Sequence, residues 1–253
     1  YNKSLDNANL LKISLQYTQD FDGLVIAFAQ DNTIKGKGMV HEGIVSTMLG
    51  LKGIPALAEE LIIARNLFIL EYTGGKLHIP TISTAKSVAL IKEAKAKGLQ
   101  VTCSVAVHNL ILTDEKIEGF DTRYKVLPPL RTEEDRKALI AGILDNTIDC
   151  ITSDHNPIDI ENKKMEFDKA KYGTIGLESA FGALQTVLPT EIIVQKLCAG
   201  RTIFAQEKVS ISEGEKANIT LFNPEEESIF TEESILSKSK NSAFLGTKIK
   251  GKV

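Results

Sequence analysis

Four histidines and one abruptly placed carboxylate carry most of the acid/base or metal chemistry this chain could perform. His78, His108 and His155 each fall at the end of an apolar, strand-like run, and His41 lies in the loop after the first such run. Imidazole titrates near neutrality and is the commonest nitrogen ligand for divalent metals, so its recurrence at strand ends suggests a metal or acid/base site. No ligand-spaced pair accompanies it, and the competing reading is one histidine per strand end bonded to backbone at a rim. Asp154 is sharper: Asp154-His155-Asn156-Pro157 follows the run Ile148 to Ser153 directly. A carboxylate at the end of a buried strand is costly to desolvate unless it is paired or metal-bound, which leaves a site role and a structural ion pair both open. Two further phrases, Tyr124 to Arg131 with Pro128-Pro129 and Gly173-Thr174-Ile175-Gly176-Leu177-Glu178, could offer backbone N–H groups to an anion. Each is more often a turn, and neither has the length or the lysine of a phosphate loop.

The elements that must position these groups alternate. Leu10, Leu11, Ile13, Leu15 and Tyr17 fit a helical face, followed by the strand-like run Leu24 to Phe28. Pro55 opens a second helix whose apolar face reads Leu57, Leu61, Ala64, Phe68 and Tyr72, closed by Gly74-Gly75 before the strand Leu77 to Pro80. A helix from about Thr84 to Lys97, stopped by Gly98, leads into a β-branched run over Leu99 to Val107. Thr132 caps a fourth helix, with Asp135 in its first turn, that delivers Ile148 to Ser153. Strands apolar on both faces and joined by helices belong in a parallel sheet, either doubly wound or a (β/α)8 barrel. No Gly-x-Gly-x-x-Gly follows a strand, which favours the barrel. Only four units precede Asp154, so half a barrel is expected, followed by helices at about Gly176 to Leu188 and Glu191 to Ala199. From Gly214 onward the alternation Ala217-Asn218-Ile219-Thr220-Leu221 and short pieces up to Val253 predict part of a small β-sandwich. The expected division is 1–205 for the half barrel and 206–253 for the sandwich piece.

Composition narrows the function classes. The 253 residues carry 30 Lys+Arg against 33 Asp+Glu, a formal charge of −3 without long blocks, which removes the electrostatic basis for tight nucleic-acid binding. With 43% hydrophobic and 25% charged residues the chain is ordinary globular material, and its longest apolar run, Leu24 to Ala29, is far too short to span a bilayer. Cys103, Cys150 and Cys198 are odd in number and widely spaced, as expected of core residues in a reducing, cytoplasmic setting. The first residue is Tyr1, and the chain is expected to begin inside a larger protein.

Read together, Gly53-Ile54-Pro55 with Glu59 and Ala64-Arg65, then His78 to Thr84, Val126 to Arg131, Asp149 to Pro157 and Gly173 to Glu178 resemble, in this order and with compatible gaps, the landmarks of the dihydroorotases. These are cyclic amidohydrolases of the amidohydrolase superfamily, and the resemblance is to the bacterial class found with aspartate carbamoyltransferase. It covers nearly the whole chain. It implies that this chain supplies the last four barrel strands and the C-terminal part of a small sandwich, and that the part with the family's His-x-His and bridging residue lies elsewhere. It also implies zinc chemistry, with two histidines and one aspartate contributed from this portion to hydrolyse or close the dihydroorotate ring.

Against that pattern the chain departs at four positions. The aspartate, general base and metal ligand of the family, is matched by Asp154, but Phe28 and Thr81 stand where the two histidines belong. Among the substrate contacts, Leu127 replaces an Asn before Pro128-Pro129 and Ile158 replaces a His after Asn156-Pro157, while Gly173 and Gly176 keep the glycine phrase. Replacing imidazole by phenyl removes a ligand and fills its space, and Asp154, His108 and His155 do not make up the loss. The expectation is a catalytically degenerate, cytoplasmic dihydroorotase-like protein with no cofactor, acting as a scaffold or partner of aspartate carbamoyltransferase and forming a homo-oligomer, with no nucleic-acid or membrane partner. The alternatives are an active cyclic amidohydrolase with a reduced metal site and a regulatory binder without turnover.

Overall fold

The computed structural model of the chain describes residues 4–206, 211–214 and 217–253. The N-terminal helix α1 (Ala8–Thr18) is capped by Asn7, whose side chain accepts the N–H of Leu10, and leads to strand β1 (Leu24–Ile26). Short elements follow: α2 (Asn32–Lys35), β2 (Val40–His41), α3 (Ile44–Met48) and β3 (Gly53–Ile54), the two strands pairing with each other. The long helix α4 (Leu57–Thr73) then delivers β4 (Lys76–Ile79), α5 (Ala85–Ala96) delivers β5 (Val101–Ala106), and α6 (Val107–Ile111) with α7 (Glu133–Leu144) precedes β6 (Cys150–Thr152). The C-terminal part holds α8 (Ala180–Leu184), α9 (Thr190–Cys198), α10 (Gly200–Ile203), β7 (Asn223–Ile229) and β8 (Lys248–Lys252).

Strands β1, β4, β5 and β6 lie side by side in that order, all parallel, with Ile26 opposite His78, His78 opposite Thr102 and Ser104 opposite Cys150. Helices α4, α5 and α7 pack beside one another, and this α/β arrangement is a partial barrel. Local chemistry explains the register of the helices. Thr84 caps α5, and Thr132 and Asp135 form a capping box on α7. Asp135 also accepts the backbone N–H of Ala85 at 2.8 Å, tying the start of α7 to the start of α5.

Three expectations change. The strand expected over 217–221 is not one: those residues are exposed and irregular, and the strand begins at Asn223, as one half of the antiparallel ribbon β7–β8. The helix expected to Leu188 is the short α8. On α4 the face predicted to point inward, Leu57, Leu61, Phe68 and Tyr72, is the exposed one. The buried face is Ala58, Glu59, Ile62, Ile63, Asn66, Leu67 and Leu70, because α4 is apolar nearly all round and periodicity alone cannot orient it. Phe230, Ile235, Ala243, Phe244 and Ile249 from the tail join the same core cluster as Leu77, Ile79 and Val105 of the sheet.

Candidate functional site

Side chains alternate along a strand, so in register the residues sharing the concave face of the sheet are 26 and 28, 78 and 80, 104, and 150, 152 and 154. These line one cavity of about 460 Å³, which also receives Thr81 from the turn after β4 and Leu197, Gly200 and Phe204 from α9 and α10. The structure therefore brings together Phe28, His78, Thr81 and Asp154. Phe28 is half-buried there. Thr81 and Asp154 both hold left-handed backbone, with φ of +50° and +44°. For a β-branched threonine this is a costly conformation, and such strain concentrates where a site dictates the direction of a side chain.

The histidines divide. His78 shares the cavity wall; its Nδ1 is 2.9 Å from Thr102 Oγ1, its ring meets Phe204 edge-on, and burial pushes its pKa down to about 4. His155 follows the rim reading: its Nδ1 accepts the N–H groups of Gly176 and Leu177, each at 3.3 Å. His108 is fully buried at the start of α6, its pKa lowered by burial against the opposing charge of Asp154, and its Nε2 has no hydrogen-bond partner among the described residues. His41 lies outside the cavity. Its Nδ1 is 3.1 Å from the guanidinium of Arg131, and burial, then the Arg131 charge, lowers its pKa to about 4.

Leu127, Ile158, Gly173 and Gly176 are not among the residues that line this cavity. Past Asp154 the chain pairs with the glycine phrase, His155 bridging Thr174 and the N–H of Asn156 donating to Thr174 O at 2.8 Å. That ladder turns Ile158 onto Gly173, where an added Cβ would sit 2.9 Å from the Ile158 side chain, and sets Gly176 on the carbonyl of Ser153. Gly173, at φ +139°, is a position that needs glycine.

Two buried networks hold these loops, and only their spatial closeness reveals them. The Glu59 carboxylate accepts the N–H of Ser83 (2.8 Å) and the hydroxyl of Ser87 (2.7 Å), as well as the Ser83 hydroxyl. Arg131, 3.8 Å from that carboxylate, donates to Ser83 Oγ and to Ile54 O, both at 3.0 Å. The second is a reciprocal lysine clasp. Lys125 donates to the carbonyls of Phe167 (2.6 Å) and Asp168 (3.0 Å), and Lys163 donates back to those of Thr122 (2.7 Å) and Lys125 (3.3 Å). Burial, then the charge of Lys125, lowers the Lys163 pKa to about 7. The N–H of Gly173 donates to Lys125 O at 2.9 Å, which ties the glycine phrase to the clasped segment. Of the cavity wall itself, Ser104, Cys150 and Thr152 were open to prediction from strand alternation, whereas Leu197 and Phe204 carried no signal.

Among the described residues no group of three or more His, Cys, Asp or Glu side chains is placed to hold a metal ion. Among the described residues, likewise, no helix is long and apolar enough to cross a membrane.

Comparison with known proteins gives a consistent result. A family model described as Dihydro-orotase-like matches residues 4–87. The chain is 42% identical over 253 residues to the dihydroorotase of Thermoanaerobacter sp. (strain X514), covering 98% of this chain and 59% of that protein. It is 43% identical over 251 residues to that of Caldicellulosiruptor saccharolyticus, with 96% and 58% covered. It thus spans about 59% of the length of such relatives. Among solved structures, L-hydantoinase (dihydropyrimidinase) from Arthrobacter aurescens superposes with a TM-score of 0.85 at 21% identity over 99% of this chain and 60% of that one. Dihydroorotase from Saccharomyces cerevisiae, in complex with 5-fluoroorotic acid, gives 0.71 at 15% identity over 98% and 67%. Those likenesses establish the shared fold alone; the sequence relatives, with the family model, show that this chain belongs to the dihydroorotase-like amidohydrolases.

Proposed function

We propose that this chain is part of a dihydroorotase-like protein of pyrimidine biosynthesis whose hydrolytic site has lost its metal-binding imidazoles and which acts as a non-catalytic partner of aspartate carbamoyltransferase. One observation carries the reading: Phe28 and Thr81, at the positions matched to ligand histidines, stand with Asp154 around the same cavity. A phenyl ring and a hydroxyl there replace the two nitrogen donors that the resemblance places beside Asp154, and a general base alone lacks the Lewis acid that polarises an amide. In the same reading the clasp and the Glu59–Arg131 network preserve the scaffold after the chemistry is gone. Residues 206–253 belong to a second, composite sandwich unit, a division supported by the change from parallel strands to the antiparallel ribbon β7–β8.

The alternative is an active cyclic amidohydrolase hydrolysing dihydroorotate to N-carbamoyl-aspartate through an altered site. The 42% identity to a dihydroorotase over nearly the whole chain favours it. Elemental analysis and a hydrolysis assay on the full-length protein separate the two. The first reading expects less than stoichiometric zinc and no turnover, with co-elution with aspartate carbamoyltransferase from the same source at micromolar concentration. Zinc retained through dialysis together with turnover supports the alternative. Phe28→His with Thr81→His should raise zinc retention above the parent, and no gain would show that these positions do not face a ligand site.

A further inference from the structure

Beyond Asp154, which lines the cavity, the chain swings out and returns at the glycine phrase. Its base is tied by the N–H of Asn156 on Thr174 O at 2.8 Å and that of Gly173 on Lys125 O at 2.9 Å. Between these ties little apolar burial holds the excursion down: Phe167 and Ala170 are its buried hydrophobic side chains. The other buried side chain is an amine, that of Lys163, 3% exposed. The clasp formed with Lys125 is therefore a main attachment of the excursion to the segment 121–126.

The two lysines of the clasp differ. Lys125 donates to Phe167 O and Asp168 O and lies over the rings of Phe167 and Tyr172, 5.4 and 5.2 Å from their centroids, so aromatic faces support its charge. Lys163 faces the carbonyls of Thr122 and Lys125. A neutral amine has two N–H groups, one for each of these carbonyls, whereas the ammonium adds a third donor and a charge. Around Lys163, the Lys125 charge repels an added proton; Asp121 attracts it but is engaged by Arg123 at 2.5 Å. Asp168 and Lys35 act in turn on Lys125. Tyr172, pushed up to about 12 by burial, stays neutral.

We propose that residues 157–172 form a proton-controlled strap, shut when the Lys163 amine is neutral and released when it takes up a proton. Burial, then the Lys125 charge, sets Lys163 at about 7 in the closed strap, against an ordinary 10.5 once the chain opens to water. Between those values the open strap holds a proton that the closed one refuses. The open fraction therefore rises as pH falls through this window, by up to about tenfold per pH unit, and levels off below about 7. The strap is tightest in alkali and slackest from neutrality downward. Its release frees the chain directly beyond Asp154, whether or not the cavity turns over a substrate.

Trypsin tests this on the full-length protein, because the strap carries the exposed Lys164, Lys169 and Lys171. Initial cleavage rates at these three sites are read by mass spectrometry from about pH 7 to about pH 9. Each is divided by the rate on a short unstructured lysine peptide in the same tube, which cancels the protease's own pH dependence. Cleavage that follows the open population should make the wild-type ratio fall at least about tenfold across that range. Lys163→Met cannot titrate and should give a ratio that does not change with pH. Lys163→Arg, charged throughout, should keep the ratio at or above the wild-type value of pH 7. A wild-type ratio that changes less than about twofold overturns the proposal whatever the variants do. A Lys163→Met protein that keeps the wild-type slope overturns it as well.

Discussion

Because the Arg131 guanidinium is buried while it donates to Ser83 and Ile54 and faces the Glu59 carboxylate, removing it strands an anion that has no route to water. Arg131→Met should lower unfolding stability by about 3–5 kcal/mol in urea titrations, the cost of breaking a buried pair from one side. Glu59→Gln with Arg131→Met should recover a good part of that loss, since the stranded charge is then gone; a double variant no better than the single one would refute the pairing. A pH effect sits at the same scale. His41 and His78 both titrate near 4 in the fold, against an ordinary value of 6.5, burial being the main cause. Between about pH 6.5 and 4 the unfolded chain takes up protons that the folded chain refuses, so the stability from keeping these rings neutral is complete above 6.5 and is lost as pH falls through that window. The urea midpoint should drop between pH 7 and 5, and His78→Gln should flatten the drop. A midpoint constant over that range would mean that the rings are open to water.

At the level of elements, Thr132 and Asp135 do double service, capping α7 and, through Asp135, holding the start of α5. Thr132→Ala should cost about 1 kcal/mol, and Asp135→Ala clearly more, because it also frees the Ala85 N–H. Equal losses in thermal unfolding would argue that the link between the helices is incidental. This cap was legible in the sequence, as were the helix-strand alternation and the four consecutive parallel strands, because each rests on local chemistry: a Thr three positions before an acid, a glycine after a helix, a β-branched run. What the sequence hid is what depends on two distant segments meeting. The outward stripe of α4 reads as a core face because its inner face is equally apolar. The strand over 223–229 is masked by its run of glutamates, which pair across the ribbon with Lys248, Lys250 and Lys252. The pocket wall from Phe204, and the turning of Ile158 onto Gly173, follow from packing and carry no periodicity.

For the whole molecule, the sheet's order decides where it is weakest. Among the described residues β4 and β5 have a strand on each side, while β1 and β6 have one neighbour and an open side. A single-sided strand leaves backbone groups to water and offers an edge for other chains, so both its local opening and its tendency to associate rise. Hydrogen exchange on the 253-residue chain should find amides of β1 and β6 at least about tenfold less protected than those of β4 and β5, equivalent to about 1.4 kcal/mol of easier opening. A longer chain, carrying the additional length found in the relatives, should raise protection selectively at β1 and β6 and suppress aggregation on heating, since its strands can pair with those edges. Uniform protection across all four strands in a monomeric 253-residue chain would contradict the open-edge account.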